Sequence, residues 1–516
     1  MAIKQAPKRR TTRTVSVPAP VGGLNARDSI ADMEPTDAIM IENWFPSTSS
    51  CDIRNGYTNW VTGFTGWVET VMAYNGASTN KLFAAANNAI YDATSSGTVG
   101  AAVVSGSITS NRWQHINMST AGGKYLYAFN GVDKPLLYDG STWVRVDGTS
   151  SPAITGVTTS NLDSPQLFKS RLWMIEKNTL KIWYLPINSI GGAASAIDFT
   201  GLFKLGGTLR GMVNWTINNS AGVDDYAAFI TSEGEIALYT GTDPSNSSTW
   251  SIVGVFRIGR PIGKRFFTKM GSDAAMITAD GIVNISKSFL TDRSNLSATL
   301  SSKIGKAVNA DVQDYNANFG WQPILYPIGN KLIINVPQNE NSVQYQYVCN
   351  TITGAWTVFT GWNAACFEVQ QDALYFGGNG VVCKADTGNS DNGNAIIGKV
   401  KPAFQYFGNA TAQKRFTMMR PIFVSSGGIS SAIKLNTDFQ DSLPTSVPAY
   451  SGVMGTQWDA GQWDTFQWAG DSQISKRWLT SGGIGYSATV NMQVTAKDIS
   501  VSWLSIDYVF EQGGTL

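Results

Sequence analysis

The sequence predicts a mainly β chain: a β-propeller of about six blades, a further C-terminal β-sandwich-like domain, and few helices. Three observations lead there. A strand–turn–strand unit recurs through the middle of the chain; its period is blade-sized; and after about residue 388 it gives way to long alternating strands.

The unit is an apolar strand, a turn of Gly, Asn or Asp, and a second apolar strand that often ends in Tyr or Trp. It is read at Lys81–Phe83 with Ala89–Tyr91, Tyr125–Tyr127 with Leu136–Tyr138, and Arg171–Trp173 with Leu180–Trp183. It recurs at Ala227–Ile230 with Ile236–Tyr239, Ala275–Ile277 with Ile282–Ile285, Lys331–Ile334 with Val343–Tyr345, and Ala373–Phe376 with Val381–Val382. The markers Leu82, Leu126, Leu172, Ala228, Met276, Leu332 and Leu374 stand 42 to 56 residues apart. Ordinary hairpins of a sandwich also repeat, but every 8–12 residues or so, and the longer period favours blades. Three units add a strand with an early Trp, at Trp143, Trp250 and Trp356. Seven passes are visible. Six blades are expected, with the first or last pass given to another domain.

The division expected is 1–66 as a basic arm and docking segment, 67–388 as propeller, and 389–516 as the C-terminal β domain. Residues Met1 to about Pro20 carry Lys4, Lys8, Arg9, Arg10 and Arg13 among prolines. Such an arm orders only against a partner, and an acidic protein surface fits it better than nucleic acid, because five charges leave a small electrostatic footprint. Trp44 and Phe45 are read as part of the same docking segment. Pro35 and Pro46 bracket an expected short helix whose Ala38, Ile41 and Phe45 share one face. A longer helix is expected where Leu296, Leu300, Ile304, Val308 and Val312 recur every four residues, with Gly305 weakening its interior. Asp386–Asn394 resembles a calcium loop in composition but fails the EF-hand register, and it reads as a polar linker. Beyond it, Ile422–Val424, Ile433–Leu435, Ala488–Val494 and Ile499–Phe510 read as strands.

Composition limits the function classes. The 516 residues suffice for roughly two to four domains. Only 15% are charged, against about 25% in an ordinary soluble domain. The net charge of +1 sets up no field for a polyanion. Cys51, Cys349, Cys366 and Cys383 form no CxxC pair and read as buried free thiols. With one histidine, His115, a zinc site is not expected, and no cofactor motif is present: neither a P-loop nor a GxGxxG after a strand. There is no apolar run long enough for a membrane helix.

No catalytic residues are expected, and the chain is read as not an enzyme. A nucleophile–histidine arrangement would have to use His115, which sits in an alternating strand and reads as a packed residue. The aspartate-box turn of propeller glycosidases is approached only by Asp139–Trp143, with the wrong spacing. Trp458, Trp463 and Trp468 stand five residues apart. They could form a sugar or base platform; interface plugs in an assembly are the preferred reading.

Three stretches together carry a family resemblance. Pro20–Asn25 with Asn43–Pro46 and Arg54–Tyr57, then Asp391–Gly393, then Trp458–Trp468 with Tyr508–Gly514, resemble in their order the tail proteins of short-tailed bacteriophages. The resemblance is dense in about a sixth of the chain. It implies a tail nozzle, also described as a tail tubular or packaged-DNA stabilisation protein: a propeller subunit in a homohexameric ring, with no catalytic residues to carry over. It further implies portal and adaptor proteins and tail fibres or spikes as partners, and viral DNA passing through the lumen without sequence-specific binding. The location implied is the virion tail, after folding in the host cytoplasm. The alternative function is a glycan-binding or glycan-cleaving propeller on a phage tail or bacterial surface.

Overall fold

The computed structural model describes residues 12–219, 222–290, 299–444 and 473–513. The chain divides into two compact units. One holds residues 59–346 and 362–385; the other holds residues 1–58, 347–361 and 386–516. The three-part division read from the sequence is therefore corrected: the N-terminal segment and the C-terminal region belong to one unit.

The first unit is a β-propeller. Blade 1 is Thr70–Asn75, Asn80–Ala86, Ala89–Asp92 and Ala102–Val104; blade 2 is Gln114–Thr120, Gly123–Phe129, Leu136–Tyr138 and Trp143–Arg145. Blade 3 is Leu162–Phe168, Arg171–Glu176, Lys181–Tyr184 and Ser195–Asp198; blade 4 is Leu209–Asn219, Gly222–Thr231, Glu235–Gly241 and Trp250–Arg257. Blade 5 has Phe267–Met270, Asp273–Thr278 and Gly281–Asn284, and blade 6 begins with Gln322–Tyr326, Lys331–Asn339 and Val343–Asn350. Blade 7 joins the two ends of the repeat: Cys366–Gln370 and Ala373–Ala385 from the late chain pair onward to Tyr57–Trp67 and Gly97–Thr98 from the early chain.

Successive blades touch in a closed cycle, and blade 7 returns to blade 1. Among the described residues the blades number seven, one more than expected. The seventh pass does not leave the ring, because Tyr57–Trp67 completes its sheet.

The blade strands read as unbroken apolar runs because both faces are buried. In blade 4, Ala227 and Phe229 pack toward blade 3, with Trp173 and Ile182. Ala228 and Ile230 pack toward blade 5, with Phe266 and Met276. In blade 2, Leu126 and Ala128 meet Phe83 of blade 1, while Tyr127 and Phe129 meet Leu172 of blade 3. A strict polar–apolar alternation would bury polar groups between blades, where an unpaired one costs about 1–3 kcal/mol.

The pass at residues 373–382 is corrected. It is one strand, Ala373–Ala385, and not a hairpin. Gly377 is needed for close approach: a Cβ there would overlap the Val68 carbonyl oxygen, and the Val68 N–H donates to Gly378 O at 3.0 Å.

The second unit is a two-sheet sandwich. One sheet runs Gln473–Lys476, Lys414–Ser425, Val501–Gln512, Cys51–Ile53 and Trp44–Pro46, with Thr12–Pro18 added on Val501–Gln512 and Leu479–Gly485 on Lys414–Ser425. The other runs Trp356–Thr360, Gly23–Leu24, Asp37–Glu42, Ile396–Pro402, Ala488–Ala496 and Ser430–Thr437. The sheets face each other at Gly398, where a Cβ would stand 2.7 Å from Trp44 Nε1.

Four local expectations change. The helix expected between Pro35 and Pro46 is two strands, Asp37–Glu42 and Trp44–Pro46, separated by Asn43 at φ 59°. Its strand form is set by antiparallel pairing with Ile396–Pro402, far along the chain, which overrides a short local helical pattern. The long helix is shorter, Gly305–Tyr315, with Val308 and Val312 buried; Leu296 lies outside the described residues. Gly305 is its first residue, where it interrupts no helical interior. The end of the basic arm, Thr12–Pro18, is a strand pairing antiparallel with Val501–Gln512. Asp386–Asn394 is not a free linker, since Asp391 is buried and held by Arg54.

Candidate functional site: the propeller channel

The first strands of six of the seven blades, all but blade 4, line a cavity of about 280 Å³. Thr70 of blade 1, Gln114 and His115 of blade 2, Gln166 of blade 3, Lys269 of blade 5, Gln322 of blade 6 and Glu368 of blade 7 line it. Their polarity follows from position. Away from the axis each strand is pressed between neighbouring blades, whereas at the axis its first-strand side chains meet open space.

His115 Nε2 stands 3.4 Å from Glu368 Oε2, which ties blade 2 to blade 7. The Gln322 amide clamps blade 6 to blade 7: its Nε2 donates to Phe367 O at 2.8 Å, and its Oε1 accepts the Phe367 N–H at 2.9 Å.

Two cations from the segment entering blade 5 also line the cavity and reach other blades. Arg265 Nη2 donates to Thr70 Oγ1 at 2.7 Å, Trp113 O at 2.9 Å and Glu69 O at 3.2 Å. Lys264 Nζ pairs with Asp163 Oδ2 at 2.6 Å and approaches Asn130 O at 3.4 Å. Burial lowers the basicity of the Arg265 guanidinium. Arg112 lies nearby, donating to Glu69 Oε1 at 3.0 Å and pairing with Glu340. Burial opposes the Arg112 charge, but the two carboxylates outweigh it and its pKa rises. Both guanidinium groups stack on Phe319, at 4.3 Å for Arg112 and 5.3 Å for Arg265.

The residues expected to dock partners fall elsewhere. Lys4, Lys8, Arg9 and Arg10 lie outside the described residues, as do Trp458, Trp463 and Trp468. Arg13 is exposed in the strand Thr12–Pro18, opposite Phe510. Trp44 is corrected as a docking residue: it is fully buried, its ring 6.2 Å from that of Trp503, so it packs inside its own unit. Phe45 is half-buried, edge-on to Phe359. His115 is in a strand as expected, yet it borders the channel. Lys264, Arg265, Lys269 and Glu368 were not singled out from sequence. The signal available was polar residues interrupting the apolar runs at blade entrances.

Among the described residues no group of three or more His, Cys, Asp or Glu side chains could hold a metal ion. No described helix is long and apolar enough to cross a membrane.

No protein-family profile and no curated protein matches the chain. Similar solved structures include BBS1N in complex with ARL6DN, at 9% identity over 64% of this chain and 96% of that one, with a TM-score of 0.39. YCF48 bound to D1 peptide is similar at 11% identity over 70% and 99%, TM-score 0.31. A quinonprotein alcohol dehydrogenase-like protein from Bacteroides thetaiotaomicron is similar at 12% identity over 56% and 66%, TM-score 0.31.

Proposed function

We propose that the chain is a structural, non-enzymatic subunit of a short-tailed phage virion, forming the ring of the lower tail tube that holds and conducts DNA. The observation that carries this reading is a meeting of the stretches that resemble such tail proteins. Arg54 donates through Nε to Asn43 Oδ1 at 2.8 Å and through Nη1 and Nη2 to both Asp391 oxygens at 2.8 and 2.6 Å. Tyr57 bridges to Asp391 in parallel register. The Tyr508–Gln512 end of the last strand lies in the same unit. Asn43, Arg54, Tyr57 and Asp391, from three of these stretches, thus meet in one place, which supports treating the resemblance there as a single feature.

The partners on this reading are five further copies of the chain, the portal and adaptor proteins, and tail fibres or spikes. A net charge of +1 suits a conduit that must not grip the duplex, because each neutralised phosphate adds salt-dependent affinity. Native mass spectrometry of the purified protein with electron microscopy of infected-cell lysates tests it. The expected result is a ring of six on phage tails. A monomer or trimer that binds glycans would overturn it in favour of a lectin or glycosidase propeller.

A further inference from the structure

We infer that the propeller channel is a binding site for a small phosphate-bearing anion. This does not rest on the tail reading. Three cationic side chains, Lys264, Arg265 and Lys269, line the cavity against one carboxylate, Glu368. That carboxylate already faces His115 at 3.4 Å. Of the carboxylates just outside the lining, Asp163 is paired with Lys264 at 2.6 Å and Glu69 is engaged by Arg112, so Arg265 and Lys269 are the two cations left to the cavity.

Arg265 is the centre of the argument. Its hydrogen bonds go to the Glu69 and Trp113 carbonyls and the Thr70 hydroxyl, none to a carboxylate. Its Nη1 is buried with no hydrogen-bond partner, and so is Nε2 of Gln114 on the same cavity. Buried donors are ordinarily satisfied, and two orphaned donors beside one polar cavity call for an acceptor. Lys269 adds an exposed ammonium from the first strand of blade 5; the nearby Asp225 is held by Lys169 at 2.6 Å. Donors from blades 2 and 5 converging on one space suit a tetrahedral oxyanion better than a planar carboxylate, whose two oxygens meet donors in one plane. The volume is at the lower end of ligand pockets, which suits a single small molecule.

Isothermal titration calorimetry with inorganic phosphate at constant ionic strength tests this, with acetate as a second titrant. The full chain should bind one phosphate saturably and acetate weakly. Lys269→Gln, at an exposed position, should weaken phosphate binding about tenfold. Glu368→Gln should tighten it, since it removes the one lining carboxylate. The opposite signs separate an electrostatic site from a general loss of structure. Absence of saturable binding, a preference for acetate, or phosphate binding that neither substitution changes would overturn the inference.

Discussion

Arg54 and Asp391 stand 337 residues apart in sequence and form a bidentate ion pair at 2.8 and 2.6 Å, with side chains only 1% and 11% exposed. The guanidinium is otherwise spent on Asn43 Oδ1, Asn55 O and Thr360 O. The pair joins the end of the N-terminal segment of its unit to the start of the C-terminal segment.

Breaking it from one side leaves a buried charge without its counterpart. Asp391→Ala should cost about 3–5 kcal/mol. Arg54→Lys should also destabilise, because an ammonium cannot reproduce the planar fork. Chemical denaturation followed by near-ultraviolet circular dichroism reads both effects. A change under about 1 kcal/mol for Asp391→Ala would place the pair among weak surface bridges.

Ring closure depends on Gly377. Adding a Cβ there forces the strand Ala373–Ala385 away from Val68, so Gly377→Ala should destabilise by about 1–3 kcal/mol or more. Gly305→Ala is the matched control. Nothing stands within 4 Å of a Cβ at that site, and at the head of a helix alanine should stabilise by up to about 1 kcal/mol. Thermal melts of the two variants should therefore move in opposite directions.

None of the four cysteines is in a disulfide, and all four are buried. Burial pushes the Cys349 thiol up to about 12 and the Cys366 thiol up to about 11, and raises Cys51 as well. The folded chain holds these protons above the ordinary value of 9.0, where the unfolded chain gives them up. Stability from this source is complete below about pH 9 and falls as pH rises toward 11–12. Burial raises Tyr127 and Tyr508 too, which steepens the same loss. Denaturation midpoints across alkaline pH test this, and a thiol reagent should label the cysteines only after unfolding.

The strand Thr12–Pro18 covers Val501–Gln512 from Thr12 opposite Glu511 to Pro18 opposite Ser505, and its own Val17 is buried. A chain lacking residues 1–11 is the reference for the comparison. Removing residues 1–20 should cost about 2 kcal/mol or more and promote association through the uncovered strand edge. Equal melting temperatures for the two truncations would contradict the pairing.

The blade strands and their hairpins were determined by the sequence itself. Runs such as Ala227–Ile230 are apolar at every position because both faces are buried, and the turn residues between them act locally. The count of seven blades, the strand form of Asp37–Glu42 and the burial of Trp44 were decided only by tertiary structure. Each depends on pairing or packing between segments hundreds of residues apart: Tyr57–Trp67 with Ala373–Ala385, Asp37–Glu42 with Ile396–Pro402, Trp44 with Trp503. The channel belongs with them. Arg265 and Lys269 read locally as ordinary surface cations, and they become a site only when ring closure brings Gln114 and Glu368 to the same space, because the field inside a cavity depends on which charges share it.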